Sequence, residues 1–234
     1  MNQTSDDIPE RLAATIQATL INPDITREQV VKHVEICAQY HFNAAMVAMC
    51  WVPLTRDILQ GTNVKTATFI DFAMGNASVD GKQALIRECR RLGADEVDYA
   101  PNMGYFLSKM YQDFQKEAQV LVSAAEGMPI KAMLQLGMIP DFNEKRLAIQ
   151  ILEEARVDWI KNSSGGWAPG ATPATVEDIV FIKESLNGYS RVKASGGIND
   201  RETAFALLEA GAELLGTSHG VEIVEGRTAI RESY

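Results

Sequence analysis

Eight short apolar runs alternate with longer segments of helical periodicity, and this alternation restricts the fold of the 234-residue sequence more than any other feature. A strand covered on both faces reads as a continuous apolar run, so the runs indicate buried parallel strands. The predicted strands are 13–20, 44–50, 64–72, 96–100, 130–136, 157–161, 190–197 and 212–218. A helical segment follows nearly every strand, the longest from about 105 to 126. The pattern predicts an α/β protein, a single (β/α)8 TIM barrel.

A doubly wound open sheet is the alternative fold. It usually has a glycine-rich turn after its first strand, and that turn is missing here. The chain length suits one closed barrel, and a hydrophobic content of 46% can fill a large core. We therefore expect residues 1–234 to form one domain, with residues 1–10 as a short polar N-terminal extension.

Charge and cysteine content exclude several kinds of partner. A formal net charge of -9 argues against nucleic acid or an anionic membrane surface as a partner. Cys37, Cys50 and Cys89 lack metal-site spacing, and an odd number of cysteines is no disulfide framework. The start is polar and acidic, and no apolar run reaches about 18 residues, so we expect neither a signal peptide nor a membrane span. A protein of the reducing cytoplasm fits best.

The stretch 157–166, V-D-W-I-K-N-S-S-G-G, places Lys161 where a buried strand gives way to a loop. A lysine at the mouth of an apolar pocket is costly to keep charged, and a neutral amine can form a Schiff base with a carbonyl. The glycine- and hydroxyl-rich loop beyond it offers backbone N–H groups to an anion. Alternatively, Lys161 only extends from the end of its strand into water. This stretch alone leaves both interpretations open.

The carboxyl ends of barrel strands carry functional residues. The predicted strands end at Cys50, Asp71, Asp98 with nearby Asn102, Gln135, Lys161, Lys193, and Thr217 with Ser218. Lys161 and Lys193 follow neighbouring strands, and because like charges held close cannot both ionise freely, Lys193 would help to keep Lys161 nucleophilic. Asp98 could move protons, directly or through a water. The alternative is a purely structural ion pair between Lys193 and Asp98.

Five segments carry a family resemblance: E-V-D (96–98), I-K-N-S-S-G-G (160–166), G-A-T-P-A-T-V-E-D-I (170–179), V-K-A-S-G-G-I (192–198) and G-A-E-L-L-G-T-S (211–218). In order and spacing, from about residue 13 to residue 218, the chain resembles deoxyribose-phosphate aldolases. The resemblance implies a class I, metal-free lyase without cofactor, which reversibly joins acetaldehyde to D-glyceraldehyde 3-phosphate and gives 2-deoxy-D-ribose 5-phosphate. It implies Lys161 as the Schiff-base lysine, Lys193 as its partner lysine and Asp98 as the proton-relay acid.

The resemblance also implies a substrate site. Phosphate would lie against the N–H groups of four glycines and serine hydroxyls, where a helix N-terminus adds a favourable dipole. The implied phosphate and substrate residues are Ser164, Gly165, Gly166, Gly196, Gly197, Ser218, Gln17, Thr19 and Cys50. Cys50 is as readily interpreted as a small buried hydrophobe. By analogy with other barrels of this kind, a homodimer is expected.

Five positions depart from the family pattern. Gln17 and Gln135 stand where carboxylates are usual, Gly166 and Asn199 where some members have a lysine and an arginine, and His219 where a second serine is common. Fewer cations weaken a phosphate site. His219 could be a replacement cation, a substrate contact or a surface residue. A same-family aldolase for a different or unphosphorylated acceptor therefore stays open, as does a non-catalytic sugar-phosphate-binding barrel.

Overall fold

A closed barrel of eight parallel strands forms the centre of the computed structural model, which describes residues 7–166, 168 and 170–228. The strands follow one another in chain order, and β1 pairs with both β2 and β8. They are Ile16–Leu20 (β1), Ala44–Val47 (β2), Lys65–Ile70 (β3), Glu96–Tyr99 (β4), Ile130–Met133 (β5), Trp159–Lys161 (β6), Arg191–Ser195 (β7) and Leu214–Thr217 (β8). The predicted single (β/α)8 barrel is confirmed, and every strand lies inside its predicted range.

Helices follow each strand. In the described part of the chain they are Asp7–Ala13 (α1), Arg27–Gln39 (α2), Val52–Ile58 (α3), Val79–Leu92 (α4), Met103–Leu107 (α5), Tyr111–Ala125 (α6), Phe142–Glu154 (α7), Val176–Ser185 (α8), Arg201–Glu209 (α9) and Gly220–Glu225 (α10). The predicted helix 105–126 is two helices, because Lys109 between them takes a left-handed backbone, φ 59°. No helix among these residues is long and apolar enough to cross a membrane.

The N-terminal end differs from the prediction for strand 13–20. Residues up to Ala13 belong to α1, and β1 begins at Ile16. Leu12 and Ala13 are buried, so their apolar character reflects helix packing rather than a strand. Residues 7–10 of the predicted polar extension lie in the same helix, and residues 1–6 lie outside the described residues.

Side-chain caps begin the helices soon after the strands end. Thr26 and Gln29 form a capping box at α2: Gln29 N–H donates to Thr26 Oγ1, and Thr26 N–H donates to Gln29 Oε1. Caps of the same chemistry, at Ser78, Asn102, Asp141, Thr175 and Asp200, begin α4, α5, α7, α8 and α9. Such caps satisfy N–H groups that the first helical turn leaves without partners.

Several charged residues lie inside the barrel, next to a small apolar cluster of Ala44, Met46 and Ala67, whereas the main apolar core packs the helices against the strands. Glu96, Asp98, Lys131 and Lys193 project from strands and are almost fully buried. Residues two apart on a strand face the same side, so Glu96 and Asp98 both point inward from β4. Charges at such depth persist only when they are paired, and their arrangement defines the site.

Candidate active site

A cavity of about 900 Å³ opens at the carboxyl ends of the strands. All eight strands or the loops after them contribute to its wall. The polar and glycine residues that line it are Thr19, Asn22, Asp98, Lys161, Ser164, Gly165, Lys193, Ser195, Gly196, Gly197, Asn199, Gly216, Thr217, Ser218 and His219. The predicted convergence at this end of the barrel is therefore observed for most, though not all, of the predicted residues.

Lys161 is the last residue of β6 and reaches the cavity from below. Its side chain is 8% exposed, and Nζ lies 3.2 Å from Asp98 Oδ2. The backbone carbonyl of Lys161 accepts a hydrogen bond from Leu134 N–H, which fixes the end of the strand against its neighbour. Lys161 is thus neither a surface lysine nor sealed off from small molecules.

Lys193 lies beside it on β7, in register with Lys161. Its Nζ donates to Asp98 Oδ2 at 2.8 Å and to Gln17 Oε1 at 2.6 Å. Burial, together with the positive charges of Lys161 and Lys131, lowers the pKa of Lys193 to about 7, against the opposing effect of Asp98. At neutral pH, Lys193 can therefore accept a proton.

Asp98 joins the two amines through one carboxylate oxygen. Burial alone would raise the pKa of Asp98, but Lys193, Lys161 and Lys131 outweigh it and hold that pKa well below the usual range. The carboxyl is consequently ionised and acts on protons held by the lysines instead of supplying its own. The buried ion pair between Lys193 and Asp98 is present, and it also includes the amine that faces the cavity.

A second charged cluster lies beneath Asp98, and sequence reasoning missed it. Glu96 contacts Lys131, 2.5 Å away, and Lys65, while Lys131 Nζ is 3.4 Å from Asp98 Oδ1. Burial would raise the pKa of Glu96, yet Lys131 and Lys65 lower it well below its usual value. The available signal was two-residue spacing, since Glu96 precedes Asp98 by two positions on one strand.

Gln17 and Cys50 were expected to contact substrate, and neither residue lines the cavity. Gln17 is fully buried below the cavity, where its amide bonds Lys193, Glu96 and Asn43. Cys50 is neither in the wall nor buried: it is exposed in a short 3-10 turn after β2. The strand ends at Val47, so Cys50 lies in the turn beyond the barrel wall.

The predicted phosphate end is built mainly from backbone. Gly165, Gly196, Gly197 and Ser218 line the cavity, whereas Gly166 is exposed and outside its lining. Gly196 has φ +98°, and a Cβ there would lie 3.1 Å from the Cα atom of Gly165. Only glycine combines that conformation with such a close approach of two loops.

Positive charge at this end of the cavity is limited. Among the described lining residues, Lys161 and Lys193 are the only lysines and there is no arginine. Asn199 and His219 both line the wall. His219 is therefore the one described lining side chain away from the two lysines that can become positively charged.

Two side-chain amides hold the strand ends on either side of the lysines. Asn162 Nδ2 donates to Ser195 O at 3.2 Å, and Ser195 N–H donates to Asn162 Oδ1 at 2.8 Å, so the amide continues the β6–β7 pairing. Gln135 bonds Ser164 in the same two-way manner, through Ser164 Oγ at 2.7 Å and Ser164 N–H at 3.0 Å. Gln135 thus supports a lining residue without lining the cavity itself.

The chain was also compared with known proteins, and no family model matches it. The deoxyribose-phosphate aldolase of Brevibacillus brevis is 35% identical over 219 residues, covering 94% of this chain and 97% of the relative. That of Streptococcus sanguinis is 34% identical, covering 94% and 98%.

Solved structures agree. A putative deoxyribose-phosphate aldolase from Coccidioides immitis superposes with a TM-score of 0.85 at 28% identity, covering 92% of this chain and 85% of that one. The tetrameric deoxyribose phosphate aldolase from Aeropyrum pernix has a TM-score of 0.84 at 25% identity, covering 95% and 97%. With relatives this similar over nearly its full length, the chain belongs to the deoxyribose-phosphate aldolase family.

Proposed function

We propose that this protein is a class I aldolase in which Lys161 forms a Schiff base with acetaldehyde. It reversibly cleaves 2-deoxy-D-ribose 5-phosphate into acetaldehyde and D-glyceraldehyde 3-phosphate. The observation that carries the proposal is the pair of lysine amines on one Asp98 oxygen at the bottom of an open cavity. A barrel that only binds sugar phosphates needs no such pair.

Proton transfer between the two lysines starts the reaction. Lys193, whose pKa is about 7, takes a proton from the Lys161 ammonium through the shared Asp98 carboxylate. The free Lys161 amine attacks C1 of the open-chain sugar, and loss of water gives an iminium ion. This ion withdraws electrons from the neighbouring carbon.

Cleavage then breaks the C2–C3 bond. Removal of the C3 hydroxyl proton forms the acceptor aldehyde, and the electron pair of the broken bond passes into the iminium to give an enamine. A proton added at C2 regenerates the imine, and water releases acetaldehyde and the Lys161 amine. The Asp98–Lys193 pair is within reach of these proton transfers, directly or through a water.

The phosphate is assigned to the glycine-rich end of the cavity. The N–H groups of Gly165, Gly196 and Gly197 and the hydroxyl of Ser218 supply donors. The scarcity of cations there favours a second candidate, an aldolase of the same family that takes an unphosphorylated acceptor. Retro-aldol rates on deoxyribose with and without its 5-phosphate separate the two, because a site built for the dianion loses several kcal/mol of binding without it.

The remaining expectations form part of the same proposal. The protein acts on small aldehydes and a sugar phosphate, with the lysine imine in place of a bound cofactor. Its free cysteines suit a reducing cytoplasm. The homodimer remains an expectation by analogy, and the mass of the particle in solution tests it.

Borohydride trapping tests the mechanism directly. Reduction converts an imine into a stable secondary amine, so peptide mass mapping after treatment with acetaldehyde should place one adduct on Lys161. Lys161→Met should lose the adduct and the retro-aldol activity. Lys183→Met, which removes a half-exposed lysine on α8, is the matched control and should retain both. If no lysine is trapped, the aldolase proposal fails and the binding barrel becomes the better account.

A further inference from the structure

Gln17 makes a fixed set of contacts beneath the lysine pair. Its Nε2 donates to Glu96 Oε2 at 2.8 Å and to Asn43 Oδ1 at 3.0 Å. Two acceptors on that side determine the amide orientation, because a flipped amide would place its oxygen against the Glu96 carboxylate. Oε1 must therefore face Lys193, whose Nζ it meets at 2.6 Å.

The charges around this amide do not balance. Lys131, Lys161 and Lys193 carry three buried amines, while Glu96 and Asp98 supply two buried carboxylates. Lys65, with a half-exposed side chain, adds positive charge at the outer side of Glu96. Three lysines against two carboxylates leave one positive charge too many, and releasing a proton removes it.

Every element around Lys193 enters this count. Lys161 faces it from β6, Lys131 from β5 and Asp98 from β4. Strand β8, L-L-G-T, carries no titratable side chain. Gln17 on β1 is thus the remaining contact of the Lys193 amine, and it is uncharged.

We propose that Gln17 is a positioning residue that anchors Lys193 without charge, so that the lysine pair has Asp98 as its only contacting anion among the described residues. An amide oxygen accepts from an ammonium and from a neutral amine alike, and so holds Lys193 in place in both states. A carboxylate in the same place would instead favour the charged amine. The inference rests on the proposed Schiff-base chemistry.

The isosteric variant Gln17→Glu tests the proposal. It adds one buried negative charge next to Lys193, so the acid limb of the kcat/KM profile should move up by about 1 to 3 pH units. Activity at pH 7 should fall, while activity above the new limb should approach that of the wild type. Gln135→Glu is the matched control, since it places a carboxylate on another buried barrel residue that bonds Ser164 instead of a lysine.

The outcomes separate cleanly. A raised acid limb in Gln17→Glu but not in Gln135→Glu supports the proposal. Superimposable profiles for Gln17→Glu and wild type overturn it, as does loss of activity at every pH in a folded protein. If acetaldehyde and borohydride trap no lysine in the wild type, the proposed function fails first. If Lys161 is trapped with the same pH dependence in both proteins, only the role of Gln17 fails.

A second variant covers the case in which Gln17→Glu does not fold. Gln17→Met keeps the position uncharged but removes the acceptor, so kcat should fall at least tenfold with little change in KM and no upward move of the acid limb. An unchanged kcat overturns the anchoring role.

Discussion

Lys161 and Lys193 are register partners on adjacent parallel strands, and their amines approach the same oxygen of Asp98, at 3.2 and 2.8 Å. Register partners project from the same side of a sheet, so the pairing of β6 with β7 is what brings the amines together. Two ammonium groups on one carboxylate oxygen repel each other, and the deeper amine gives up its proton more easily. The relationship makes the reaction sensitive to pH near neutrality.

The wild-type rate should show this sensitivity. Below the pKa of Lys193, about 7, the amine is protonated and cannot accept the Lys161 proton. We expect kcat/KM for the retro-aldol reaction to fall about tenfold per pH unit on the acid side. Lys193→Met should lower kcat/KM at pH 7 by at least about 10²-fold. A variant with wild-type rate and pH profile would show that Lys193 has no part in proton transfer.

Stability should also depend on Lys193. Because its pKa falls from 10.5 to about 7 on folding, the unfolded chain binds this proton more strongly between those two pH values. Burying Lys193 therefore lowers the free energy of unfolding in full at pH 7 and below. This loss of stability becomes smaller as the pH rises toward 10.5. Urea unfolding at pH 7, 8 and 9 should show a rise in stability that is smaller in Lys193→Met. Parallel curves would contradict the assignment.

Removing the charge of Asp98 should damage both folding and chemistry. Asp98→Asn keeps the shape of the side chain but leaves Lys161, Lys193 and Lys131 without their shared anion. Loss of one partner from a buried ion pair costs about 3–5 kcal/mol, which chemical denaturation can measure. The retro-aldol rate should fall at least about 10²-fold in the fraction that folds. Unchanged stability would mean that the cluster is more hydrated than its burial indicates.

His219 should determine how strongly the phosphate is held. We expect His219→Arg, with its permanent charge, to lower KM for 2-deoxyribose 5-phosphate about tenfold, because charged hydrogen bonds contribute about 1.5–3 kcal/mol. His219→Gln should raise it by a similar factor. Unphosphorylated deoxyribose is the internal control, and its KM should be the same for all three proteins. Equal effects on both substrates would assign His219 to the sugar rather than to the phosphate.

A buried lysine far from the amines should control the shape of the cavity. Lys82 Nζ donates to Gly75 O at 2.7 Å, to Ala100 O at 2.8 Å and to Glu117 Oε1 at 2.8 Å, joining the loops after β3 and β4. Phe72 in the first of these loops lines the cavity.

Lys82→Met should therefore destabilise the protein by about 3–5 kcal/mol and raise KM more than it lowers kcat. Adding Glu117→Gln should recover part of the stability, since the stranded carboxylate is then gone. Without recovery in the double variant, the loss would come from packing and not from charge.

The barrel and the lysine pair could be predicted because their signals are local. Continuous apolar runs identify buried strands, and a lysine that ends such a run must lie at the barrel mouth. The strand containing Ala13 was drawn too long because a buried helix residue and a buried strand residue have the same apolar side chain. The break at Lys109 was not predicted, because a left-handed backbone is usually indicated by a glycine and this position is a lysine.

Contacts between side chains on different strands were harder to predict from the sequence. Gln17 was expected to contact substrate because it stands at a family site position, but depth along the barrel axis separates it from the cavity. Lys131 and Glu96 lie on the adjacent strands β5 and β4. Their ion pair depends on how far one strand is staggered against the other, and the sequence alone does not indicate this stagger. Cys50 was expected at the cavity because the apolar run 44–50 was taken as one strand. The strand ends three residues earlier, at Val47.

The Asn162 side chain, which bonds both backbone groups of Ser195, has a consequence for protein engineering. It locks the exits of β6 and β7 together immediately above the two lysines, below the loops that form the acceptor end. Asn199, Ser218 and His219 line that end of the cavity and can therefore be randomised in search of new acceptor aldehydes while the nucleophile keeps its geometry. Every folded member of such a library should still form the Schiff base between Lys161 and acetaldehyde.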